Sequence, residues 1–240
     1  MARTSVVVLS FGVAIAALTA TPVSSAHSHE STSVSTRTQI SKALKAAKQL
    51  PVAGWAAHDG YSRDQFGGRW KDLDGNGCDT RNDILRRDLK KVVMSSSRCR
   101  VIGGVFTDPY SGKRTTFAET CTFGTCPMST AIQIDHVVAL SNAWVTGAQS
   151  LPYATRVELA NDPLELIAVS SSLNDQKSDS DASAWLPPRV SYQCAYVARQ
   201  VAVKRKYHLW VTPSEKATMI SVLKKRSCSK VALPTAKSKS

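Results

Sequence analysis

The chain has 240 residues, of which 42% are hydrophobic and 20% are charged. This composition is close to the globular average, so it excludes a largely disordered chain, a collagen-like repeat and a polytopic membrane protein. Thirty-one lysine and arginine residues against 18 aspartate and glutamate residues give a formal net charge of +13. A positive field of this size suits a polyanion such as nucleic acid, or an anionic surface, and the charge alone does not choose between them.

The first 26 residues have the pattern of a signal peptide. Arg3 precedes an apolar stretch over 6–18, which is too short to span a bilayer, and small residues follow it at 24–26. We therefore expect residues 1–26 to be cleaved and the product to be secreted, without stable insertion into a membrane. An uncleaved anchor is the alternative, and the short apolar core argues against it. Residues 27–38 are rich in Ser and Thr and lack apolar periodicity, which predicts a flexible leader.

Apolar periodicity and turn residues beyond the leader predict helices and strands in a single domain over residues 39–228. No internal repeat is present in the sequence, and the mixture of elements makes α+β the most economical fold class. The basic stretch over 229–240 predicts a disordered tail. The predicted elements, in chain order, are helices over 40–50 and 80–93, strands over 101–105, 114–117, 132–138 and 161–169, a tight link into a helix at 170–177, and helices over 196–206 and 214–226.

The predicted helix over 80–93 combines an apolar face with a strongly basic one. We expect the basic face to contact the phosphates of a nucleic acid. The alternative is a solvated surface that keeps a secreted protein soluble. The basic residues of this face are Arg81, Arg86, Arg87, Lys90 and Lys91.

The cysteines are six in number, and secretion permits them to form disulfides. Zinc binding is the alternative, but the cysteines at 121 and 126 lack a second Cys or His pair at a useful distance. The sequence does not select one pairing among the many that six cysteines allow. Pairing by proximity joins Cys78 to Cys99, Cys121 to Cys126, and Cys194 to Cys228.

A pattern with catalytic chemistry begins at the end of the predicted strand over 132–138. Asp135 and His136 stand side by side there, a second predicted strand follows, and Asn174 and Lys177 come at the start of a helix. A strand, a strand and a helix that carry Asp-His, then Asn and Lys, resemble the HNH endonuclease core, which is the ββα-metal fold.

The resemblance extends to a particular secreted HNH family of bacteria and fungi, over residues 52–228. It implies that nearly the whole mature chain forms one HNH nuclease domain, in which helices surround the ββα core and disulfides staple it. The segments that carry it are DGNGCDTRNDIL at 74–85, NDPLELIAV at 161–169, NDQKSD at 174–179, AWLPP at 184–188 and YVARQVAVK at 196–204.

The resemblance implies a catalytic role for three residues. Asp135 and Asn174 would bind a divalent cation, and His136 would be the general base that activates water. A neutral imidazole can take a proton at physiological pH, and the cation neutralises charge on the phosphate and the leaving oxygen. An oxygen-rich ligand set favours Mg²⁺ or Mn²⁺ over Zn²⁺.

The chain departs from the HNH pattern at Glu165, which stands where the family usually carries the middle Asn that pins the catalytic loop. We expect Asn161 or Glu165 to supply this positioning role. The basic residues nearest to the pattern are candidates for contacts to phosphate, and solvated side chains are the alternative. These candidates are Lys177, Arg156 and Arg81.

A candidate second metal site lies upstream, in the Gly-rich segment over 72–83. Asp72, Asp74, Asn76 and Asp83 have the spacing of a Ca²⁺-binding loop, with an Asp in place of the usual final Glu. The alternative is a Gly-rich turn that is closed by Asx hydrogen bonds and fixed by the adjacent cysteine.

These patterns predict a secreted, divalent-metal-dependent endonuclease that hydrolyses nucleic acid with little sequence specificity. We expect DNA rather than RNA as the substrate and a monomeric protein. A non-catalytic basic protein that binds nucleic acid or an anionic cell surface on a retained HNH fold is the alternative. A decayed site would be expected to lose at least one of Asp135, His136 and Asn174, and the sequence has all three.

Overall fold

The protein is described by a computed structural model over residues 42–68, 70–118, 131–228 and 231–235. The predicted signal peptide, the predicted leader, Cys121 and Cys126 lie outside these residues. Of the predicted tail, only residues 231–235 are described.

Helices alternate with two small antiparallel sheets along the described chain, which confirms the α+β class. The helices are α1 over 42–49, α2 (Thr80–Asp88), α3 (Leu140–Val145), α4 (Tyr153–Asn161), α5 (Ser171–Lys177), α6 (Val190–Lys206) and α7 (Pro213–Lys224). The strands are β1 (Lys90–Met94), β2 (Val101–Thr107), β3 (Arg114–Ala118), β4 (Ile132–His136) and β5 (Leu166–Ser170). Strands β1, β2 and β3 form one sheet in that order, and β4 pairs with β5 in the other. Turns of 3₁₀ helix lie at Arg63–Phe66, Ala148–Ser150 and Arg226–Cys228.

Strands β4 and β5 form an antiparallel hairpin whose long connection contains α3 and α4, and this hairpin separates two hydrophobic cores. Successive side chains of a strand point to opposite faces. Ile134 and its cross-strand partner Ala168 therefore pack with α2, β2 and β3 in the smaller core. Ile167 and Val169 face the other way and pack in the larger core. Because both faces of the hairpin are covered, the residues at its end are held in place from two sides.

The larger core is built around the long helix α6. Its central residues Tyr196, Val197 and Val201 are fully buried, and α7 packs against it. Burial of several apolar side chains of this size contributes a few kcal/mol each to the free energy of folding. Within the described residues, no helix combines the length and the hydropathy that are needed to cross a membrane.

The predicted helix over 80–93 is wrong in its second half. Helix α2 ends at Asp88, and Lys90–Met94 form β1, which pairs with β2. The adjacent β-branched residues Val92 and Val93 favour an extended chain, and pairing with β2 outweighs the helical spacing. The two lysines of β1 therefore do not share a helical face with the arginines of α2.

The predicted strand over 161–169 is also shorter than expected. Residues Tyr153–Asn161 form α4, and β5 begins only at Leu166. Pro152 directly precedes α4, and proline is well tolerated at the start of a helix. The helix is short and has no strong apolar stripe, so the sequence pattern did not predict it. The predicted helices near the end are confirmed with shifted bounds, since α6 starts at Val190 and α7 starts at Pro213.

Two of the proximity pairings are confirmed. Cys78 is bonded to Cys99, and Cys194 is bonded to Cys228. The first bridge fixes the loop before α2 to the start of β2. The second bridge ties α6 to the 3₁₀ turn that follows α7.

We predict that Cys194→Ala combined with Cys228→Ala lowers the free energy of unfolding by about 2–4 kcal/mol, because the bridge restricts the unfolded chain. Denaturant unfolding without reductant measures this difference. Under reducing conditions, in which the wild type has lost the same bridge, the two proteins should differ far less. An unchanged unfolding midpoint without reductant would contradict the prediction.

Candidate active site

The three residues of the predicted catalytic pattern meet around one cavity at the end of β4. This strand-end cavity has a volume of about 380 Å³. Asp135 and His136 reach it from the last two positions of β4, and Asn174 reaches it from the middle of α5, which packs against both strands of the hairpin. Its further lining includes Arg63, Gln133, Asp175 and Asp179.

His136 is buried and is held in one tautomer. Its Nε2 lies 2.9 Å from the carbonyl oxygen of Ala160. A carbonyl only accepts hydrogen bonds, so Nε2 carries the hydrogen and Nδ1 is left with its lone pair. Burial lowers the pKa of His136 to about 3, and the positive charge of Arg63 acts in the same direction. The imidazole is therefore neutral at physiological pH, with Nδ1 unprotonated.

Asp135 is held by two buried donors. Tyr110 donates its hydroxyl to Oδ2 at 2.5 Å, and Lys177 donates to Oδ1 at 2.9 Å. Lys177 also donates to the main-chain oxygen of His136 at 2.8 Å. The side chain of Lys177 is fully buried. A phosphate contact requires an accessible ammonium group, so the predicted contact is wrong. Lys177 instead forms an internal ion pair with Asp135.

Asn174 is oriented by its neighbour on β4. Its Nδ2 donates to Oε1 of Gln133 at 2.6 Å. Because the nitrogen end of the amide is committed to Gln133, the oxygen end is the part of Asn174 that remains to bind a cation. The hydrogen bond also connects α5 to β4 on the side of the strand-end cavity.

The donor set around this cavity fits a hard divalent cation. Asp135 and Asn174 line the same cavity, and Asp175 and Asp179 add two further acidic residues to its lining. Oxygen ligands of this kind suit Mg²⁺ or Mn²⁺, which commonly take one or two carboxylates and complete their shell with water and substrate phosphate. Among the described residues, no group of three or more His, Cys, Asp or Glu side chains could hold a metal ion by itself.

Residues 79–222 match the sequence profile of the C-terminal domain of GmrSD restriction endonucleases. A protein of Arthroderma benhamiae named "Uncharacterized secreted protein" is 39% identical over 176 residues, which cover 72% of this chain and 79% of the relative. The chain belongs to the GmrSD C-terminal domain family. No solved structure matches it.

Membership of this HNH-type endonuclease family agrees with the resemblance seen in the sequence, and it makes nucleic acid the implied substrate class. The region matched by the GmrSD profile contains α2, both strands of the hairpin and α5. The fungal relative is a secreted protein, and the disulfides fit an oxidising compartment. The prediction that this protein is secreted is confirmed.

Glu165 clamps the chain that follows His136. Its main-chain oxygen accepts from the Val137 amide at 3.0 Å, and its carboxylate oxygens lie 3.2 and 3.3 Å from the Val138 amide nitrogen. Burial raises the pKa of Glu165 well above its usual value. Glu165 thus lies where the sequence departs from the HNH pattern and makes contacts suited to a loop-positioning residue.

Asn161, the other candidate for this positioning role, acts on a different segment. Its Oδ1 accepts from the Lys71 amide at 2.9 Å, and its Nδ2 donates to the Val157 carbonyl. The carbonyl of Lys71 is bound as well, since it accepts from the Thr80 amide at 2.8 Å. Both the amide and the carbonyl of Lys71 are therefore fixed, which restricts the adjacent Trp70.

The other two candidates for phosphate contacts make internal hydrogen bonds. The guanidinium of Arg156 donates to the main-chain oxygens of Gln65 and Leu151 and to Oε1 of Gln65. Arg156 is thereby an anchor for the turn at Arg63–Phe66, which corrects the predicted contact. Arg81 points one guanidinium nitrogen at the Ile132 carbonyl, at 3.4 Å.

Two residues near His136 were missed by the sequence analysis. The indole of Trp70 stacks on the His136 ring, with the planes inclined by 9° and the centroids 5.7 Å apart. Arg63 is exposed and lines the strand-end cavity. Both lie far from His136 along the chain and outside every motif that the sequence presents, so only the folded chain reveals them.

The candidate calcium loop closes on itself. The carboxylate of Asp72 accepts from the amides of Gly75, Asn76 and Gly77, and these bonds lower the pKa of Asp72. The Asn76 side chain donates to Asp74 and Asp83. These hydrogen bonds build the Asx-stabilised turn that was the alternative, and calcium binding by this loop stays a prediction.

We predict that Glu165→Leu lowers the free energy of unfolding by about 1–3 kcal/mol, because it leaves the buried Val138 amide without an acceptor. Glu165→Gln keeps a carbonyl oxygen at the same position and carries no charge, so it should stay near the wild-type stability. Denaturant unfolding of the three proteins measures the difference. Equal stability of the Leu variant and the wild type would show that the clamp contributes nothing.

Proposed function

We propose that the protein is a secreted, divalent-metal-dependent endonuclease that hydrolyses phosphodiester bonds of nucleic acid, with DNA favoured over RNA. The proposal assigns residues 39–228 to the nuclease domain. The observation that carries it is His136, which is held at Nε2 by the Ala160 carbonyl and lines one cavity together with the proposed oxygen ligands Asp135 and Asn174. Membership of the GmrSD C-terminal domain family supports the same reaction class.

His136 acts as the general base in this proposal. Its Nδ1 takes a proton from the attacking water, and the carbonyl of Ala160 stabilises the imidazolium by accepting the hydrogen bond from Nε2. The stack with Trp70 fixes the ring plane. The base is therefore oriented before substrate binds, and general-base assistance of this kind typically contributes a factor of about 10²–10⁴.

Asp135 and Asn174 would hold Mg²⁺ or Mn²⁺ in this proposal. When bound, the cation would neutralise the negative charge that develops on the phosphate and the leaving oxygen. The side chains of Lys177 and Tyr110 keep the Asp135 carboxylate in place, and Gln133 keeps the Asn174 amide in place. Each proposed ligand thus has a partner that fixes its rotamer.

Substrate affinity is proposed to come mainly from charge. The net charge of +13 supplies attraction to the phosphate backbone that does not depend on sequence. The exposed Arg63 side chain at the strand-end cavity brings positive charge next to the proposed scissile phosphate. Little sequence specificity is therefore expected.

We predict that His136→Ala lowers the rate of plasmid cleavage by at least about 10²-fold, because it removes the general base. His208→Asn is the matched control, since His208 is exposed at the end of α6 and Asn tolerates its positive φ. Circular dichroism of both variants checks that the fold is kept. Cleavage by His136→Ala within a few-fold of the wild type would remove the assignment.

We predict that EDTA abolishes cleavage by the wild type and that excess Mg²⁺ or Mn²⁺ restores it, because the proposed ligands are oxygens. The measurement is the conversion of plasmid and of RNA, with and without the chelator. Undiminished cleavage in EDTA would contradict metal dependence. Binding of nucleic acid without any cleavage in Mg²⁺ or Mn²⁺ would favour the non-catalytic alternative.

A further inference from the structure

A second cavity adjoins the strand-end cavity at His136. This aromatic cavity has a volume of about 360 Å³, which is within the usual range of ~300–1,000 Å³ for small-molecule sites. His136, Arg63 and Leu140 belong to both cavities, so the aromatic cavity adjoins the place where the phosphate would be cut. Its other lining includes Phe66, Gly68, Trp70, Asp79 and Asn161.

The lining of the aromatic cavity suits a nucleobase better than a phosphate. Trp70 and Phe66 provide aromatic surface, and Arg63 provides a planar cation at the border with the strand-end cavity. Asp79 also lines the aromatic cavity, and its Oδ1 caps α2 by accepting from the amide and the side chain of Asn82. Its negative charge repels a phosphate, and its second carboxylate oxygen can accept a hydrogen bond from the exocyclic amino group of a base.

Trp70 is prepared for this role before any ligand arrives. The next residue, Lys71, is bound at its amide by Asn161 and at its carbonyl by Thr80. The Cys78–Cys99 bridge fixes the same loop to β2. The indole therefore keeps its parallel arrangement with His136, and little side-chain entropy remains to be lost when a base stacks nearby.

We propose that the aromatic cavity binds the base of an unpaired nucleotide next to the scissile phosphate, so that the preferred substrate is single-stranded or locally unpaired nucleic acid. This inference rests on the proposed nuclease function and deepens it. Stacking of a base on an aromatic side chain contributes ~1–3 kcal/mol and tolerates every base. A paired base must first leave the helix, which costs a few kcal/mol, so a regular duplex gains less from this cavity.

The test uses a short single-stranded oligodeoxynucleotide in which one internal nucleotide is replaced by a tetrahydrofuran abasic residue. The wild type should cut the phosphate next to the abasic residue about tenfold more slowly than the same phosphate in the intact strand, as loss of one stacked base predicts. The other phosphates should be cut at unchanged rates. A matched duplex should be cut more slowly than the single strand, and a duplex with one unpaired base should be cut beside that base.

Three variants separate base binding from a general effect on His136. In Trp70→Ala, the ratio of the intact-strand rate to the abasic-strand rate should fall from about ten towards one, because the main stacking surface for the base is removed. Trp70→Phe keeps an aromatic ring and should keep part of the ratio. Trp55→Ala is the matched control, because Trp55 is 68% exposed and lies outside both cavities. A purely structural role of Trp70 would lower both rates and leave the ratio at the wild-type value, which would overturn the inference.

The failure of this inference is distinguishable from failure of the nuclease proposal. If intact and abasic strands are cut equally and duplex is cut as fast as single strand, the aromatic cavity does not bind a base, whereas the nuclease proposal stands. If no substrate is cut, the nuclease proposal fails. In that case, fluorescence anisotropy of labelled intact and abasic strands, measured in EDTA with the wild type, tests base binding directly. About tenfold tighter binding of the intact strand supports the inference, and equal affinity of the two strands overturns it.

Discussion

The buried ammonium group of Lys177 joins the parts of the site that come from different elements. It lies at the end of α5 and binds both the Asp135 side chain and the His136 carbonyl on β4. Tyr110, which belongs to the turn between β2 and β3, completes the partners of Asp135. Removal of one member of such a pair leaves an unpaired buried charge and costs several kcal/mol. The relative placement of α5, the β4–β5 hairpin and the three-stranded sheet at the site therefore depends on this ion pair.

The alternation of side chains along β4 explains why the two cavities can differ in chemistry. Asp135 faces Lys177 and Tyr110, whereas the adjacent His136 faces Trp70 and Ala160. Neighbouring strand residues point to opposite faces, so Asp135 joins the buried ion pair with Lys177, whereas His136 stacks on Trp70. The loop after His136 stays at the boundary because Glu165 binds its first two amides. The last two residues of β4 thus supply the proposed general base, which stacks on Trp70, and a proposed cation ligand.

The sequence predicts the local parts of this arrangement and misses the distant ones. The α+β class follows from the periodicity of apolar residues, two disulfides follow from pairing by proximity, and the meeting of Asp135 and Asn174 around one cavity follows from the resemblance to the HNH core. Lys177 was misassigned because a lysine on a short helix is normally solvated, and only tertiary packing buries it. Trp70 and Arg63 belong to no recognisable motif, and a fold built from contacts distant in sequence brings them to His136. The strand β1 was assigned to a helix because its lysines and valines also fit helical spacing, and pairing with β2 decided otherwise.

The net charge of +13 overstates the positive surface that is open to nucleic acid. Lys204 is buried and pairs with Glu215. Arg87 and Arg199 both donate to the carbonyls of Pro163 and Leu166, where β5 begins. These cations replace water as partners of buried oxygen atoms and therefore act as internal braces. Attraction to a phosphate backbone must come from the remaining exposed cations, and among the described residues Arg63 is the cation that lines both cavities. The proposed phosphate contact and the proposed base stacking therefore both lie next to His136.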